Sequence, residues 1–350
     1  MEGNGVYNRS SQVQAAGLSP AVPLLEHAAR MVRLASAPDP IVIADYGSSE
    51  GHNSFGPLMV AIGTVRERIG PERAISVIHT DLPANDFTAL FQALNTDPNS
   101  YLLNDPAVFP LAVGRSFYEQ ILPPESVTLG WSSWAVQWLS QAPVPIPDQV
   151  QVAYSRDPVA RAAFSQQAAE DWRKFLIHRG QELRVGGRLV VVTMAVDQEG
   201  NFGYRSLLEA MYATLMDMVE KGFVRAEEVR QMVIPTVGRS QADLAAPFAE
   251  SGCYAGLSIE EMEVFRSEDR IWAEFEGHRD AHAFGARWAT FSRASVFQTL
   301  AAGLKGGRDD PRAAEFIDRL EAGLATRLEA APEPMLIPLG KMLLVKQQPK

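Results

Sequence analysis

The chain has 350 residues, of which 46% are apolar and 21% are charged, and its formal net charge is −10. These proportions are typical of a globular protein with a sizeable core, and no run of about 18 apolar residues predicts a membrane span. The acidic balance argues against sequence-independent binding of nucleic acid, whose phosphates attract basic surfaces. We therefore expect a small-molecule partner, with no nucleic acid and no membrane.

The start of the chain and its cysteine content bear on the compartment. The N-terminus MEGNGVYNRSSQVQ has neither the basic region nor the apolar region of a secretory signal, so we expect a cytoplasmic location. The single cysteine, Cys253, excludes an intramolecular disulfide and any zinc site that needs several thiolates. We expect Cys253 to be buried and unreactive.

The first half of the chain alternates predicted strands and helices. PIVIADYGSSEG predicts a buried strand at 41–45, then a Gly/Ser turn before a helix at 54–69. AISVIHTDLPANDF predicts a second strand ending at Asp81, with Asn85 or Asp86 as the next helix N-cap. A long helix capped by Asp157 then leads to the buried strand GGRLVVVTMA. This alternation indicates a mostly parallel sheet covered on both faces.

The pattern changes near residue 201. YRSLLEAMYATLMDMVEKGFV and RWATFSRASVFQTLAAGL predict helices, and MEVFRSEDRIWAEFEG between them predicts a strand or hairpin. KGGRDDP predicts a plain interhelical loop, and MLIPLGKMLLVKQ predicts a last strand that joins the sheet edge. We expect an α/β core at 1–200, a mainly helical cap with one intervening core strand at 201–335, and a terminal strand at 336–350 that returns to the core sheet.

Three tryptophans follow the predicted strand SVTLGWSS. In WSSWAVQWLSQAP, Trp131, Trp134 and Trp138 stand at i, i+3 and i+7, a spacing that predicts a helix with the indoles on one side. A buried indole needs an acceptor for its N–H. The stripe is therefore either core or the wall of a binding pocket, and the spacing alone leaves both interpretations open.

The turns after residues 45, 81 and 131 are expected to share one crevice, because open α/β sheets bind ligands outside the carboxyl ends of their strands. DYGSSEG lacks both the complete G-x-G-x-x-G pattern and the lysine of a P-loop. This favours S-adenosylmethionine over NAD or ATP. Asp81 is placed to accept hydrogen bonds from two ribose hydroxyls. Alternatively, the glycines mark an ordinary turn and Asp81 merely ends a strand.

Five motifs in order resemble the SABATH family of plant-type S-adenosylmethionine-dependent methyltransferases, which methylate salicylate, benzoate, jasmonate and, in some members, xanthine nitrogens. They are VYNRSSQVQ, IADYGSSEGHNS, HTDLPANDF, GRSFYEQILP and WSSWAVQWLSQAP. The resemblance covers most of the chain. It implies a Rossmann-like class I methyltransferase sheet with a mainly helical cap, S-adenosylmethionine as the cofactor, and a homodimer.

The same resemblance implies roles for individual residues. The implied cofactor-binding residues are Tyr7, Ser11, Asp45, Gly47, Asn53, Asp81, Leu82, Ser116, Phe117 and Ser132. Asp81 would hold the ribose and Phe117 would stack on the adenine. The implied substrate-binding residues are Gln14, Trp134, Gln137, Trp138 and Met194. Gln14 and Trp138 would form the catalytic pair by donating N–H groups to a substrate carboxylate, so that Trp134 and Trp138 face the pocket and Trp131 packs at the strand end.

Departures from the family pattern concern the substrate and the metal. Trp131, Trp134 and Gln137 replace the usual His, Tyr and Met, which favours an acid different in shape from salicylate or one with an extra polar group. Arg230 stands where some members carry an acidic magnesium ligand, so we expect no required metal.

The predicted activity is O-methylation of a small carboxylic acid to its methyl ester by in-line transfer. A carboxylate is ionised at neutral pH, so no general base is needed. Two alternatives stay open. One is N-methylation of a small heterocycle, and the other is a cofactor-binding protein without catalysis.

Overall fold

The computed structural model describes residues 17–34, 36–103 and 105–348. The strands are β1 (Ile41–Tyr46), β2 (Ile75–Asp81), β3 (Val108–Gly114), β4 (Val127–Ser133), β5 (Leu183–Met194), β6 (Leu257–Arg266) and β7 (Pro338–Lys346). The helices are α1 (Val22–Met31), α2 (His52–Ile69), α3 (Phe87–Thr96), α4 (Pro158–Glu182), α5 (Arg205–Glu220), α6 (Ala226–Val229), α7 (Gln241–Ala245), α8 (Arg270–His278), α9 (Ala281–Ser292), α10 (Gln298–Ala301) and α11 (Ala313–Ala330).

The strands form one sheet in the order β3-β2-β1-β4-β5-β7-β6. Strands β1 to β5 are parallel to one another, whereas β7 is antiparallel to both β5 and β6. The predicted α/β sheet is therefore confirmed. In the register of β1 and β2, Asp45 pairs with His79 and Tyr46 pairs with Thr80, so the carboxyl ends of the two strands lie side by side. The loops that follow the two strands therefore start close together.

The prediction that the last strand joins the sheet edge is wrong. Strand β7 lies between β5 and β6, and β6 forms the edge. Of the segment predicted as a strand or hairpin, only the first part is β-structure, because Asp269 caps helix α8 by accepting a hydrogen bond from Trp272 N at 2.9 Å. The opposite edge strand, β3, was not predicted. It contains Pro110, which an edge strand tolerates because one of its sides is unpaired.

The predicted tryptophan helix does not form. Trp131 lies within β4, and Trp134 has a left-handed backbone with a φ of 53°. The backbone of the loop that follows β4 makes hydrogen bonds to distant segments in place of the bonds between residues i and i+4 that a helix requires. Trp134 N donates to Val192 O at 2.9 Å, and Leu139 N donates to Pro235 O at 2.8 Å. Trp131 is fully buried, as expected for an indole at a strand end.

The cap helices pack into the same hydrophobic core as one face of the sheet. Helix α11 packs against α5 and α9, and the buried side chains of the three helices join those of β1, β4 and β5 in one cluster. Between α9 and α10 the chain makes a π-helical segment, Arg293–Phe297. The cap is thus anchored on the sheet.

Cys253 is only half-buried, and its N–H donates to the hydroxyl of the exposed Ser251 at 3.3 Å, which corrects its expected burial.

Candidate active site

A cavity of about 450 Å³ lies between the carboxyl ends of the parallel strands and the cap. Its sheet side includes ten residues that the sequence predicted, namely Gly47, Asn53, Asp81, Leu82, Ser116, Phe117, Trp134, Gln137, Trp138 and Met194. Its cap side includes Phe202, Tyr204, Leu207, Leu208, Met211, Phe291, Ser292, Ser295, Val296, Thr299 and Arg308. One continuous space therefore joins the expected cofactor residues to the expected substrate residues.

The turn after β1 brings backbone close to the cavity. Gly47 has a φ of 85°, and a Cβ on this residue would lie 2.4 Å from the Cβ of Ala135, so only glycine fits there. The N–H groups of Gly47 and Ser48 both donate to Thr80 O, at 2.8 and 3.0 Å. This turn is consequently fixed against β2 on one side. On its other side it packs against the tryptophan loop, a name used here for residues 134–140 after β4.

Asp81 ends β2 with its carboxylate held by two backbone groups. Ser49 N donates to its Oδ2 at 2.8 Å, and Leu82 N donates to its Oδ1 at 2.7 Å. Burial raises the pKa of the Asp81 carboxyl above its usual value. Each carboxylate oxygen can accept a second hydrogen bond, so a vicinal diol in the cavity would meet two oriented acceptors.

The segment that contains Ser116 and Phe117 is held in place by the buried ion pair of Arg179 and Glu182, which was not predicted from the sequence. Arg179 donates to Phe117 O at 2.7 Å and to Glu119 O at 2.9 Å, and it binds Glu182 at 2.7 Å. Glu182 also accepts the N–H of Ile121 at 2.6 Å. Because Arg179 and Glu182 are both fully buried, Phe117 is presented on a rigid support.

The tryptophan loop is fixed at three points. Tyr118 Oη donates to Trp138 O at 2.6 Å, and Arg239 Nη1 donates to Val136 O at 2.6 Å. Asp171 accepts the N–H and the hydroxyl of Ser140 at 2.7 and 2.8 Å. Since Tyr118 follows Phe117 directly, its hydroxyl connects the wall around Phe117 to Trp138.

Two predicted substrate residues differ in the availability of their polar groups. The amide of Gln137 is engaged, because it donates to Trp134 O at 2.6 Å and accepts from Thr193 Oγ1 at 3.2 Å. The half-buried indole of Trp138 makes no hydrogen bond to any described residue. Its N–H is therefore available to a ligand. These contacts favour the pocket interpretation for Trp134 and Trp138.

Two predicted site residues do not line the cavity, and three others lie outside the described residues. Asp45 is buried, with its Oδ2 2.9 Å from His79 Nδ1, and it does not line the cavity. Ser132 donates to Tyr46 O at 2.9 Å, while Ser133 lines the cavity in its place because neighbouring strand residues point to opposite faces. Tyr7, Ser11 and Gln14 lie outside the described residues.

Within the described ranges, no three His, Cys, Asp or Glu side chains are grouped so that they could hold a metal ion. The expectation that no metal is required stays a prediction. No helix of the same ranges is long and apolar enough to cross a membrane.

Comparison with known proteins decides the family. Residues 1–327 match the family described as SAM dependent carboxyl methyltransferase. The chain belongs to this family, known as SABATH. The SABATH resemblance drawn from the five motifs is thus confirmed, and the family description carries the cofactor and the type of acceptor that the motifs implied.

SABATH relatives are similar in sequence at modest identity. The chain is 27% identical over 246 residues to methyltransferase FUS9 of Gibberella fujikuroi, a match that covers 70% of this chain and 65% of the relative. It is 27% identical over 286 residues to anthranilate O-methyltransferase 2 of Zea mays, with 76% of each chain covered. The match therefore spans slightly less than two thirds of the fungal relative.

The fold is also that of a solved methyltransferase. Loganic acid methyltransferase with SAH superposes with a TM-score of 0.78 at 22% identity, and the alignment covers 99% of this chain and 98% of that one. The class I methyltransferase fold, with a helical cap over a mixed seven-stranded sheet, is confirmed.

Proposed function

We propose that the protein is an S-adenosylmethionine-dependent O-methyltransferase that converts a small carboxylic acid into its methyl ester. The observation that carries this proposal is the single cavity that joins the Asp81 and Phe117 side to the Trp138 side. A diol acceptor and an aromatic wall suit an adenosine, and a free indole N–H suits a carboxylate oxygen. Both are presented by residues that other contacts hold in place.

The residues at the carboxyl ends of the parallel strands suit the cofactor. Asp81 would accept the two ribose hydroxyls, Phe117 would stack on the adenine with Ser116 near its edge, and Asn53 would bind the methionine end. When bound, S-adenosylmethionine supplies a methyl group on a sulfonium, which is an electrophile. Gln14 and Ser11 are proposed to complete the site, and both lie outside the described residues.

The substrate side needs to position an anion and to exclude water. Trp138 would donate its indole N–H to one carboxylate oxygen, with the Gln14 amide as the second donor. The apolar cap residues Phe202, Leu208 and Phe291 line the same cavity, so they would keep water from the carboxylate. Because a carboxylate is already ionised, no residue is assigned to proton transfer.

Substitution of Trp138 tests the proposed role of its indole. Trp138→Phe keeps an aromatic ring and removes the donor, so kcat/KM toward benzoate, anthranilate or gibberellic acid should fall about tenfold or more. The affinity for S-adenosylhomocysteine, measured by calorimetry, should change by less than about twofold. Trp272→Phe, in the cap away from the cavity lining, is the matched control. Loss of S-adenosylhomocysteine binding in Trp138→Phe would contradict the assignment.

The alternatives to carboxyl methylation have weaker support. N-methylation of a heterocycle needs acceptors that orient a neutral ring, whereas Trp138 presents a donor. A binding protein without catalysis has less support, because the chain belongs to a family of carboxyl methyltransferases. We also propose, on the family resemblance, that the protein is a homodimer. Sedimentation of the purified protein at two concentrations tests the dimer.

A further inference from the structure

The cap side of the cavity carries polar groups that neither the cofactor nor the reacting carboxylate uses. Ser295, Thr299 and Arg308 line the cavity, and their side chains make no hydrogen bond or ion pair with any described residue. Two other lining serines differ in this respect, since Ser292 donates to Trp288 O at 2.8 Å and Ser140 donates to Asp171. The three groups thus form an unsatisfied set, here called the cap anchor.

The backbone brings the cap anchor together. Ser295 lies in the π-helical segment Arg293–Phe297, and Thr299 follows in α10. Segments of π-helix are frequent at functional sites. The short turn Gly307–Asp309, which carries Arg308, packs against α10. The Ser295 Oγ is buried, whereas Arg308 is exposed, so Arg308 occupies the rim of the cavity.

A network of ion pairs, in which the carboxylates are buried, holds the turn that carries Arg308. Arg312 binds Glu228 at 2.6 Å and Asp310 at 2.9 Å, and Asp310 also accepts the N–H of Gly306 at 3.0 Å. Arg312 keeps the pKa of Glu228 at about 2, well below its usual value. The predicted plain loop at 305–311 is therefore a fixed platform for a cation.

Charge argues for an anionic occupant of the cap anchor. Arg308 is the one arginine or lysine of the described residues that lines the cavity, in a protein whose net charge is −10. Guanidinium groups bind carboxylates through charge-assisted hydrogen bonds, and hydroxyl donors add to such a site. The reacting carboxylate is assigned to Trp138, on the sheet side, so Arg308 is left for a different group.

We propose that Arg308, supported by Ser295 and Thr299, binds a second anionic oxygen group at the far end of the substrate. The substrate class is therefore an acid with an apolar middle and a second carboxylate or equivalent group. This inference rests on the proposed function, because the first carboxylate is placed by Trp138. It makes Arg308 a residue that determines specificity and leaves the transfer step unchanged.

Paired linear acids test the cap anchor. Octanoate, decanoate and dodecanoate are compared with the corresponding α,ω-dicarboxylates by calorimetry, with the protein saturated with S-adenosylhomocysteine. We expect the dicarboxylate of at least one length to bind about tenfold more tightly than its monocarboxylate. Arg308→Gln should abolish this preference and leave monocarboxylate binding within about twofold. Arg161→Gln, an exposed arginine away from the cavity lining with the same charge change, should keep the preference.

The outcomes separate the two proposals. If the paired acids bind equally at every length, or if the preference survives Arg308→Gln, the cap anchor is wrong. If Arg308→Gln weakens both kinds of acid alike, Arg308 only attracts anions in general and the proposal of a second group fails. If neither kind binds although S-adenosylhomocysteine does, the proposed carboxylate pocket is itself contradicted, and the cap anchor fails with it.

Discussion

The carboxylate of Asp81 is held in a position in which it can accept hydrogen bonds from two neutral hydroxyl groups. Its two oxygens already accept backbone N–H groups from Ser49 and Leu82, and burial raises its pKa. The ionised form is the better acceptor for two ribose hydroxyls, and the protonated form loses part of that capacity. Cofactor affinity should therefore depend on the charge of this one residue.

Acidification tests that dependence on Asp81. The affinity for S-adenosylhomocysteine should fall as the pH is lowered through the raised pKa of Asp81, beginning at a higher pH than for an ordinary aspartate. At neutral pH, Asp81→Asn should weaken binding roughly tenfold to a hundredfold, since a hydrogen bond to a charged group contributes about 1.5–3 kcal/mol. The variant should also lose the part of the pH dependence due to Asp81.

Asp148 provides a matched control for this measurement. It likewise accepts a backbone N–H and a hydroxyl, from Arg156 and Ser155, but it does not line the cavity. Asp148→Asn should bind S-adenosylhomocysteine like the unaltered protein. An equal loss of affinity in both variants would mean that general destabilisation, and not a ribose contact, explains the effect of Asp81→Asn.

At the scale of elements, the two sides of the cavity are coupled through a short stretch. Phe117 and Tyr118 are adjacent, the first lines the proposed adenine wall, and the hydroxyl of the second binds Trp138 O at 2.6 Å. Arg179 and Glu182 hold the same stretch from behind. The geometry of the acid side thus depends on a residue of the cofactor side.

Tyr118→Phe tests the coupling between the two sides. Loss of the hydroxyl frees the loop that carries Trp138, so kcat/KM for an accepted acid should fall about tenfold while S-adenosylhomocysteine binds within about twofold. Ser100→Ala removes a buried hydroxyl bond, from Ser100 Oγ to Leu94 O at 2.6 Å, where neither residue nor its sequence neighbours line the cavity. The two variants should lose similar stability, about 1 kcal/mol, in urea unfolding. An equal kinetic loss in Ser100→Ala would refute the coupling.

Periodicity predicted the elements that local sequence determines. Strands β1 and β2 and helix α4 were placed within a few residues, because their apolar patterns and their caps, such as Asp157, are local signals. The tryptophan helix failed for the opposite reason. The backbone of residues 134–140 is held by Val192, Pro235 and Tyr118, which are distant in sequence.

The candidate site likewise contains residues that local motifs predicted and residues that only the folded chain brings to the site. The family motifs predicted ten of the residues that line the sheet side, since each lies at or soon after the carboxyl end of a parallel strand. They did not reveal Arg179 and Glu182, whose partners Phe117 O and Ile121 N are distant in sequence. Nor did they reveal Arg308, which only the fold of the cap places at the cavity. Asp45 and Ser132 were placed at the cavity by resemblance, but their side chains point to His79 and to Tyr46 O.

For the whole molecule, the sheet and the cap together define one reaction space in an acidic protein. The loops after the parallel strands line the side of the cavity proposed for the cofactor, and apolar residues of the cap line the opposite side. Trp138 lies in the same cavity. An anionic acid must enter against a net charge of −10, so local donors such as Trp138 and Arg308 are needed at the site itself.

The central claim is tested most directly by finding the atom that receives the methyl group. The purified protein is incubated with methyl-labelled S-adenosylmethionine and a mixed panel of aromatic, indolic and aliphatic acids, dicarboxylates and xanthines, and labelled products are identified by mass spectrometry. We expect base-labile methyl esters in which the label is on a carboxyl oxygen. Label on a ring nitrogen, or no transfer although S-adenosylhomocysteine binds, would contradict carboxyl methylation.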